Sequence, residues 1–450
     1  MNYNTFTLKS GLRVVHLPSE SPVVYCGIAV RAGTRNEAPG EEGLAHFCEH
    51  LSFKGTRRRS AVRIINDIEG LGGELNAFTN KEDTVYYCAI SADHVRRALD
   101  VLCDIVFDSQ FPEAEIEKEC EVVCDEIESY EDSPAELIYD EFENLLFEGH
   151  PLGHNILGTA DRVRSFTQQD ALRFTRRWYR PENCVLFISG KAPSNLPQLG
   201  EAPGAGQSME KTIQESLPQL GEAPGAGQSM EKTIQESHTL LGEAPGAGRS
   251  AEIAIQESLP QLGEVGGGFG LIERHRSTHQ AHVMIGARAF AATDPRRWAL
   301  YLLNNILGGP GMNSRLNLSL RERHGLVYTV ESSMVSYADT GLWGIYFGCD
   351  QKDVDRCRRL VRRELDRLAD QPLSPTRLTA AKRQLQGQLA IASDSREQFA
   401  LDFARNYLHT GTLRSLTDIM AHIDRLTADD LQQVARQLFA PEQLTTLIYS

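Results

Sequence analysis

In GLAHFCEHLSFKGT, residues 43–56, two histidines lie four positions apart, His46 and His50, with Glu49 directly before the second. Four residues make just over one turn of helix, so the two imidazoles lie about 40° apart on one face. Both could then reach one cation, with Zn–N distances of about 2.0–2.1 Å. Glu49 lies about 60° from His46, close enough to polarise a metal-bound water without being a ligand. Cys48 projects to another side, as a packing residue. Two histidines do not complete a site, because a catalytic zinc takes a third protein ligand and keeps one position open for water. The same spacing also fits an ordinary amphipathic helix with two surface histidines.

A second concentration of chemistry is IEKECEVVCDEIESYEDSP, from Ile116. Its pattern is helical, with Val122, Val123 and Ile127 as an apolar stripe. Glu119 and Glu126 are seven apart, two turns, and so share a face. Such a face offers one carboxylate as a ligand and another behind it; it also fits a solvated acidic helix. Cys120 and Cys124 have no His or Cys partner nearby and read as core. His150 and His154, in EGHPLGHNILGT, share the four-residue spacing, but Pro151 and Gly153 argue for a loop, and these histidines read as structural.

His46-x-x-Glu49-His50 is the inverted zinc motif of the inverzincins. With its flanks it closely resembles the M16 zinc metallopeptidases, the family of pitrilysin, insulinase and the mitochondrial processing peptidases. That family's third ligand is a glutamate well beyond the motif, preceded seven residues earlier by another. Here Glu126 lies 76 positions after His50, and Glu119 seven before Glu126. The resemblance implies one Zn2+ per chain, bound by His46, His50 and Glu126, with Glu49 as general base and Glu119 supporting the site. LGGELNAFTNKEDTVYY (71–87) is similar to the family's edge strand, where Asn76 and Ala77 would pair with the main chain of an extended peptide. LRERHGLVYTV places Arg321 and Tyr328 seven apart, the spacing at which the family holds the substrate carbonyl and steadies the oxyanion. Without the resemblance these are a helix-end arginine and a strand tyrosine. The implied activity is zinc-dependent endopeptidase hydrolysis of peptides or unfolded segments. The alternative is a non-catalytic peptide-binding or assembly subunit of an M16-type complex, which loss of a ligand or the base would favour; all are present. The resemblance further implies a clamshell-like chamber and pairing of chains, as a homodimer or with a related subunit.

These residues need elements to position them, and the chain supplies two similar runs. The first reads strand (PVVYCGIAV), the helix with His46, a second helix (AVRIINDIEG), two strands (GELNAFT, DTVYYCAI) and a helix (HVRRALDVLCDIV). The second reads strand (QAHVMIGARAF), helix (WALYLLNNILGG), helix (SRLNLSLRER), two strands (LVYTVESSMVS, TGLWGIYFGC) and a helix (DVDRCRRLVRREL). Alternating apolar residues mark the strands and 3.6-residue spacing the helices. Where the first run has its metal helix the second has LNNILGG, so one zinc site is implied. Between the runs LPQLGEAPGAGQSMEKTIQES (196–216) recurs unchanged at 217–237, and a diverged copy fills 238–258. These units have too few large apolar residues for a core and read as a duplicated linker. The expected architecture is α+β: an N-terminal zinc-binding half (1–195), a repetitive linker (196–264) and a C-terminal half (265–450), each half an antiparallel sheet flanked by helices. The family usually continues from CVLFISGK into a helix closing the first half, whereas here the repeats begin at Leu196.

Composition bounds the partners. Across 450 residues, 46 Lys and Arg against 61 Asp and Glu give a net charge of −15. That argues against non-specific nucleic-acid binding, which needs clustered cations against phosphate. No apolar run approaches the ~18 residues of a membrane helix, and the first twenty residues lack a signal-peptide pattern. Nine cysteines, mostly in apolar runs, point to the cytoplasm.

Overall fold

The computed structural model describes residues 3–191, 270–276 and 278–450. The repeats and the boundaries at 195/196 and 264/265 lie outside the described residues. In the first half the elements are β1 (Asn4–Thr7), β2 (Arg13–Pro18), β3 (Val23–Val30), α1 (Leu44–Ser52), α2 (Ala61–Glu69), β4 (Glu74–Thr79), β5 (Thr84–Ser91), α3 (Val95–Phe107), α4 (Glu113–Glu131), α5 (Pro134–Leu146), α6 (Ala160–Val163), α7 (Gln168–Trp178) and β6 (Cys184–Gly190). The second half has β7 (Gly270–Arg274), β8 (Ala281–Ala289), α8 (Arg297–Gly308), a π-helical stretch Asn317–Glu322, β9 (Val327–Ser336), β10 (Gly341–Cys349), α9 (Val354–Asp370), α10 (Pro375–Ala392), α11 (Arg396–Thr410), α12 (Leu416–Arg425), α13 (Ala428–Leu438) and β11 (Thr445–Tyr449). Among the described residues no helix is long and apolar enough to cross a membrane.

The two halves repeat one plan. Strand order is β1-β2-β6-β3-β5-β4 in the first sheet and β7-β11-β8-β10-β9 in the second. β4 and β9, equivalent in element order, are both edge strands. The sheets are mixed rather than antiparallel as expected: β6 runs parallel to β2, and β11 parallel to β7. Each of these closing strands returns after a run of helices, the kind of crossover that a parallel neighbour requires. SRLNLSLRER also departs from the expected α-helix. It opens into the π stretch, where the Arg323 amide reaches back five residues to Leu318.

Each sheet is covered on both faces, which is why β3 and β10 are almost wholly apolar. One face of the first sheet packs on its own helices, with Phe47, Leu51, Leu102 and Val123 in that layer. Its other face, with Val15, Val85 and Phe187, is covered by α11 from the second half through Leu401, Phe403, Ala404 and Leu408. The exchange is reciprocal: α5 of the first half lays Leu137, Ile138, Phe142 and Leu146 against Met284, Tyr346 and Leu447 of the second sheet. Burying a Leu or Phe contributes about 1.5–3 kcal/mol, so these apolar layers, rather than surface ion pairs at about 0–1 kcal/mol each, hold the halves together.

One buried ion pair adds to the exchange. Asp83, in the β4–β5 turn and 1% exposed, accepts a hydrogen bond from Nε of Arg405 at 2.9 Å and pairs with Nε2 of His409 at 2.8 Å, both on α11. Burial pushes its carboxyl up, but His409 and Arg405 outweigh burial and hold it at about 2, below its usual 3.8. A carboxyl depressed on folding adds stability above its unfolded pKa, lost as pH falls through the folded one. Asp83→Asn is therefore expected to cost about 2 kcal/mol in denaturant unfolding at pH 7, with the gap to the parent protein narrowing below about pH 4.

Candidate metal centre

α1 begins at Gly43, whose φ of 96° places it in the left-handed region. A Cβ there would lie 2.7 Å from the Leu157 carbonyl oxygen and 2.9 Å from Cα of Gly158. This close approach needs glycine. The helix start is capped by a buried carboxylate, because Glu37 accepts from the amides of Gly43 at 3.0 Å and Ala45 at 2.7 Å. A negative charge at that end also suits the helix dipole. His154 pairs with Glu37 at 2.9 Å, giving this loop histidine the structural role expected of it. His150 lies 3.4 Å from Asp339. Leu44, Ala45, Phe47, Cys48 and Leu51 turn into the core, leaving His46 and His50 toward α4 and Glu49 toward Thr79 of β4.

α4 packs on α1 and α6, with Ile116, Cys120, Val123, Cys124 and Ile127 buried in the core and the Cys120 and Cys124 thiols directed at the carbonyls of Val163 and Ala160 on α6. Val122, expected in that stripe, is 48% exposed. It lies about 100° from Val123 around the helix and so faces away from α1. The packing delivers both glutamates. Nε2 of His50 is 3.5 Å and Nε2 of His46 is 3.9 Å from Oε2 of Glu126. Ligand atoms of His46, His50 and Glu126 all lie within 4.8 Å of one another, and among the described residues they form the one such group of His, Cys, Asp or Glu. Tetrahedral bonds of about 2.0–2.1 Å put ligand atoms about 3.3 Å apart, so the donor set fits a zinc ion after small adjustments. Glu119 approaches Nδ1 of His50 at 3.2 Å, and its other oxygen accepts from Lys54 at 2.6 Å. A carboxylate behind a ligand histidine is the support typical of zinc sites.

Charge in the cluster is unevenly shared. Burial, reinforced by His50, lowers the pKa of His46 to about 4. Burial also opposes protonation of His50, but hydrogen bonds to Glu119 and Glu126 outweigh it and raise the pKa to about 9. Nδ1 of His46 is buried and has no hydrogen-bond partner among the described residues. Glu49 stands beside the donor set without belonging to it. Burial raises its carboxyl pKa, against the hydroxyl of Thr79, which donates to Oε2 at 2.6 Å. Thr79 ends β4, so the edge strand that carries Asn76 and Ala77 also holds the candidate base.

Arg321 and Tyr328 are brought together, but in a place of their own. They line a cleft of about 580 Å3 between α8 and β9, with Asn304, Asn305 and Gly308, and none of the metal-cluster residues is in its lining. Arg321 sits on the π stretch, a form often found at functional sites. Tyr328 is 81% exposed. This cleft occupies the place in the second half that the metal cluster has in the first. Sequence reasoning missed Thr79, Lys54 and Glu37. Lys54 follows His50 by one helical turn and Thr79 closes NAFT, so both had local signals; Glu37 had none.

Residues 13–160 match the family model for insulinase, peptidase family M16, and residues 247–385 match that for the M16 inactive domain. An uncharacterized zinc protease of Streptomyces coelicolor is 34% identical over 96% of this chain and 86% of its own length. The chain belongs to peptidase family M16. A second relative, the uncharacterized zinc protease YmxG of Bacillus subtilis, is 30% identical over 98% of this chain and 97% of its own. In fold, the chain is similar to a protease from Helicobacter pylori at a TM-score of 0.82 and 22% identity, covering 100% of this chain and 99% of that one. An M16 inactive-domain protein from Pseudomonas fluorescens gives 0.80 at 18% identity, covering 100% and 98%. The shared M16 fold is two similar α+β halves with mixed sheets flanked by helices.

Proposed function

We propose that this M16 chain is a zinc-dependent endopeptidase acting on peptides or unfolded polypeptide segments. The observation that carries the reading is the meeting of His46, His50 and Glu126 beside a buried carboxylate, Glu49, that is not needed as a ligand. Bound to the three side chains, one zinc ion per chain supplies a Lewis acid that acidifies water and polarises a carbonyl. Glu49 takes a proton from the attacking water and returns it to the leaving amine. Its burial favours the protonated form that this return requires. Glu119 orients His50, and Lys54 orients Glu119. Along β4, Asn76 and Ala77 hold an extended peptide by main-chain pairing, which gives affinity with little sequence preference. Arg321 and Tyr328 from the second half donate to the developing oxyanion.

The wider organisation follows the same reading: halves at 1–195 and 265–450, a linker at 196–264, and a chamber completed by a second copy or a related subunit. Nine buried, unpaired cysteines support a reducing cytoplasm. The inactive-domain match covers residues 247–385, the second half and its border, where α8 carries no metal cluster among the described residues; it is the finding that favours the alternative of a non-catalytic peptide-binding or assembly subunit.

Zinc-loaded protein incubated with a mixed peptide library is expected to cleave in a chelator-sensitive way. The absence of any such cleavage would favour the assembly-subunit reading. Thr79→Val is expected to lower kcat at least about tenfold, with KM and zinc content kept, because Glu49 loses the donor that aims it; Thr79→Ser is expected to restore most of the rate. Steady-state kinetics beside elemental analysis checks both variants.

A further inference from the structure

A cavity of about 870 Å3 opens in the second half between the segment Asn313–Leu318, α9 and the start of α10. Its volume lies within the about 300–1,000 Å3 of small-molecule sites. In a chain of net charge −15, this cavity is lined by four arginines, Arg315, Arg323, Arg367 and Arg377, against one carboxylate, Glu364. Glu364 is already engaged, accepting from Nη1 of Arg367 at 2.6 Å and lying 3.9 Å from Nη1 of Arg315. Burial pushes the Arg315 guanidinium down; Glu364 resists, while Arg377 and Arg367 add to the push. Cationic charge therefore exceeds what the lining can neutralise.

Two further observations point to an anionic occupant. The Ser314 hydroxyl is buried and has no hydrogen-bond partner among the described residues; Ser314, 3% exposed, lines both this cavity and the neighbouring Arg321–Tyr328 cleft. Helix α10, eighteen residues long, starts at this cavity, and its N-cap, Ser374, makes no side-chain cap. Pro375 at its first position has no N–H, so Thr376 and Arg377 carry the first amides of this uncapped end, and Ser374 and Arg377 line the cavity. Guanidinium forks match phosphate oxygens two at a time, and a compact ligand with several charges answers several arginines at once.

We propose that this cavity binds a small polyanion bearing two or more phosphate groups, clamped by Arg315, Arg323, Arg367 and Arg377 with Ser314 as a further donor. The site is separate from the metal cluster, and its test uses metal-stripped full-length protein, so that phosphates cannot act by sequestering zinc. Calorimetric titration with inorganic triphosphate at about 0.15 M salt is expected to show saturable binding near one per chain that weakens as salt rises. Arg323→Glu with Arg377→Glu, both at exposed positions, is expected to weaken binding at least about tenfold at an unchanged thermal midpoint. Arg315→Gln tests the buried end of the clamp, and Arg57→Glu in the first half is expected to leave binding unchanged. No saturable binding, or equal affinity in the folded double variant, would overturn the proposal. So would equally tight binding of an acidic peptide of matched charge, which would assign the cavity to protein ligands instead.

Discussion

Glu49→Gln is expected to keep its zinc and lose about 10²–10⁴-fold in kcat, the range typical of removing a general acid–base group. Glutamine has nearly the same shape and keeps a carbonyl oxygen to accept from Thr79, so the bond between β4 and α1 survives. It cannot take a proton from water or return one to an amine. Because Glu49 lies outside the cluster of His46, His50 and Glu126, metal content should not change. Peptide affinity should hardly move either, since the proposed binding surface is the β4 edge. Kinetics on a fluorogenic peptide, with elemental analysis of the same sample, reads both quantities. Near-parental turnover in a preparation free of contaminating protease would falsify the base assignment.

The second large effect is expected at Glu126. Glu126→Ala should weaken zinc binding by more than the roughly 10–100-fold that loss of an outer partner costs, because it removes one of the three proposed ligands. Its side chain is 45% exposed and sits at the surface end of the cluster, so the helix should fold without it. Removing it also leaves His50 with Glu119 as its nearest carboxylate partner. The expected result is protein with parental circular dichroism, little bound zinc after purification and almost no hydrolysis at ordinary zinc levels. Glu119→Ala should give a milder loss of affinity, which separates ligand from support.

Much of the first half was legible because its signals are local. His46, Glu49 and His50 lie within one helical turn, and the two-turn spacing of Glu119 and Glu126 fixes a shared face before any fold is known. The strand and helix order of both halves followed from apolar periodicity, and β4 as an edge strand followed from the family resemblance. What stayed hidden depends on partners distant in the chain. The parallel neighbours of β2 and β7 are chosen by how helices return the chain. The exchange of α5 and α11 depends on apolar faces that look like ordinary helix faces until the opposite sheet is in place. Val122 and Val123 are equally apolar, and only the packing of α4 on α1 decides which is buried. The π stretch under Arg321 and the carboxylate cap from Glu37 are likewise products of tertiary packing. That Arg321 and Tyr328 belong together was implied only by the family resemblance, since by themselves they read as a helix-end arginine and a strand tyrosine.

The most direct measurement is a zinc titration of chelator-treated, dialysed protein, followed by peptide hydrolysis at each step. Hydrolysis is expected to rise from near zero in proportion to added zinc and to break at about one equivalent per chain. Glu49→Gln, titrated in parallel, should bind the same equivalent and stay inactive. Full zinc uptake with no hydrolysis of any peptide by the parent chain, or hydrolysis indifferent to zinc, would contradict the assignment of His46, His50, Glu126 and Glu49 to one catalytic centre.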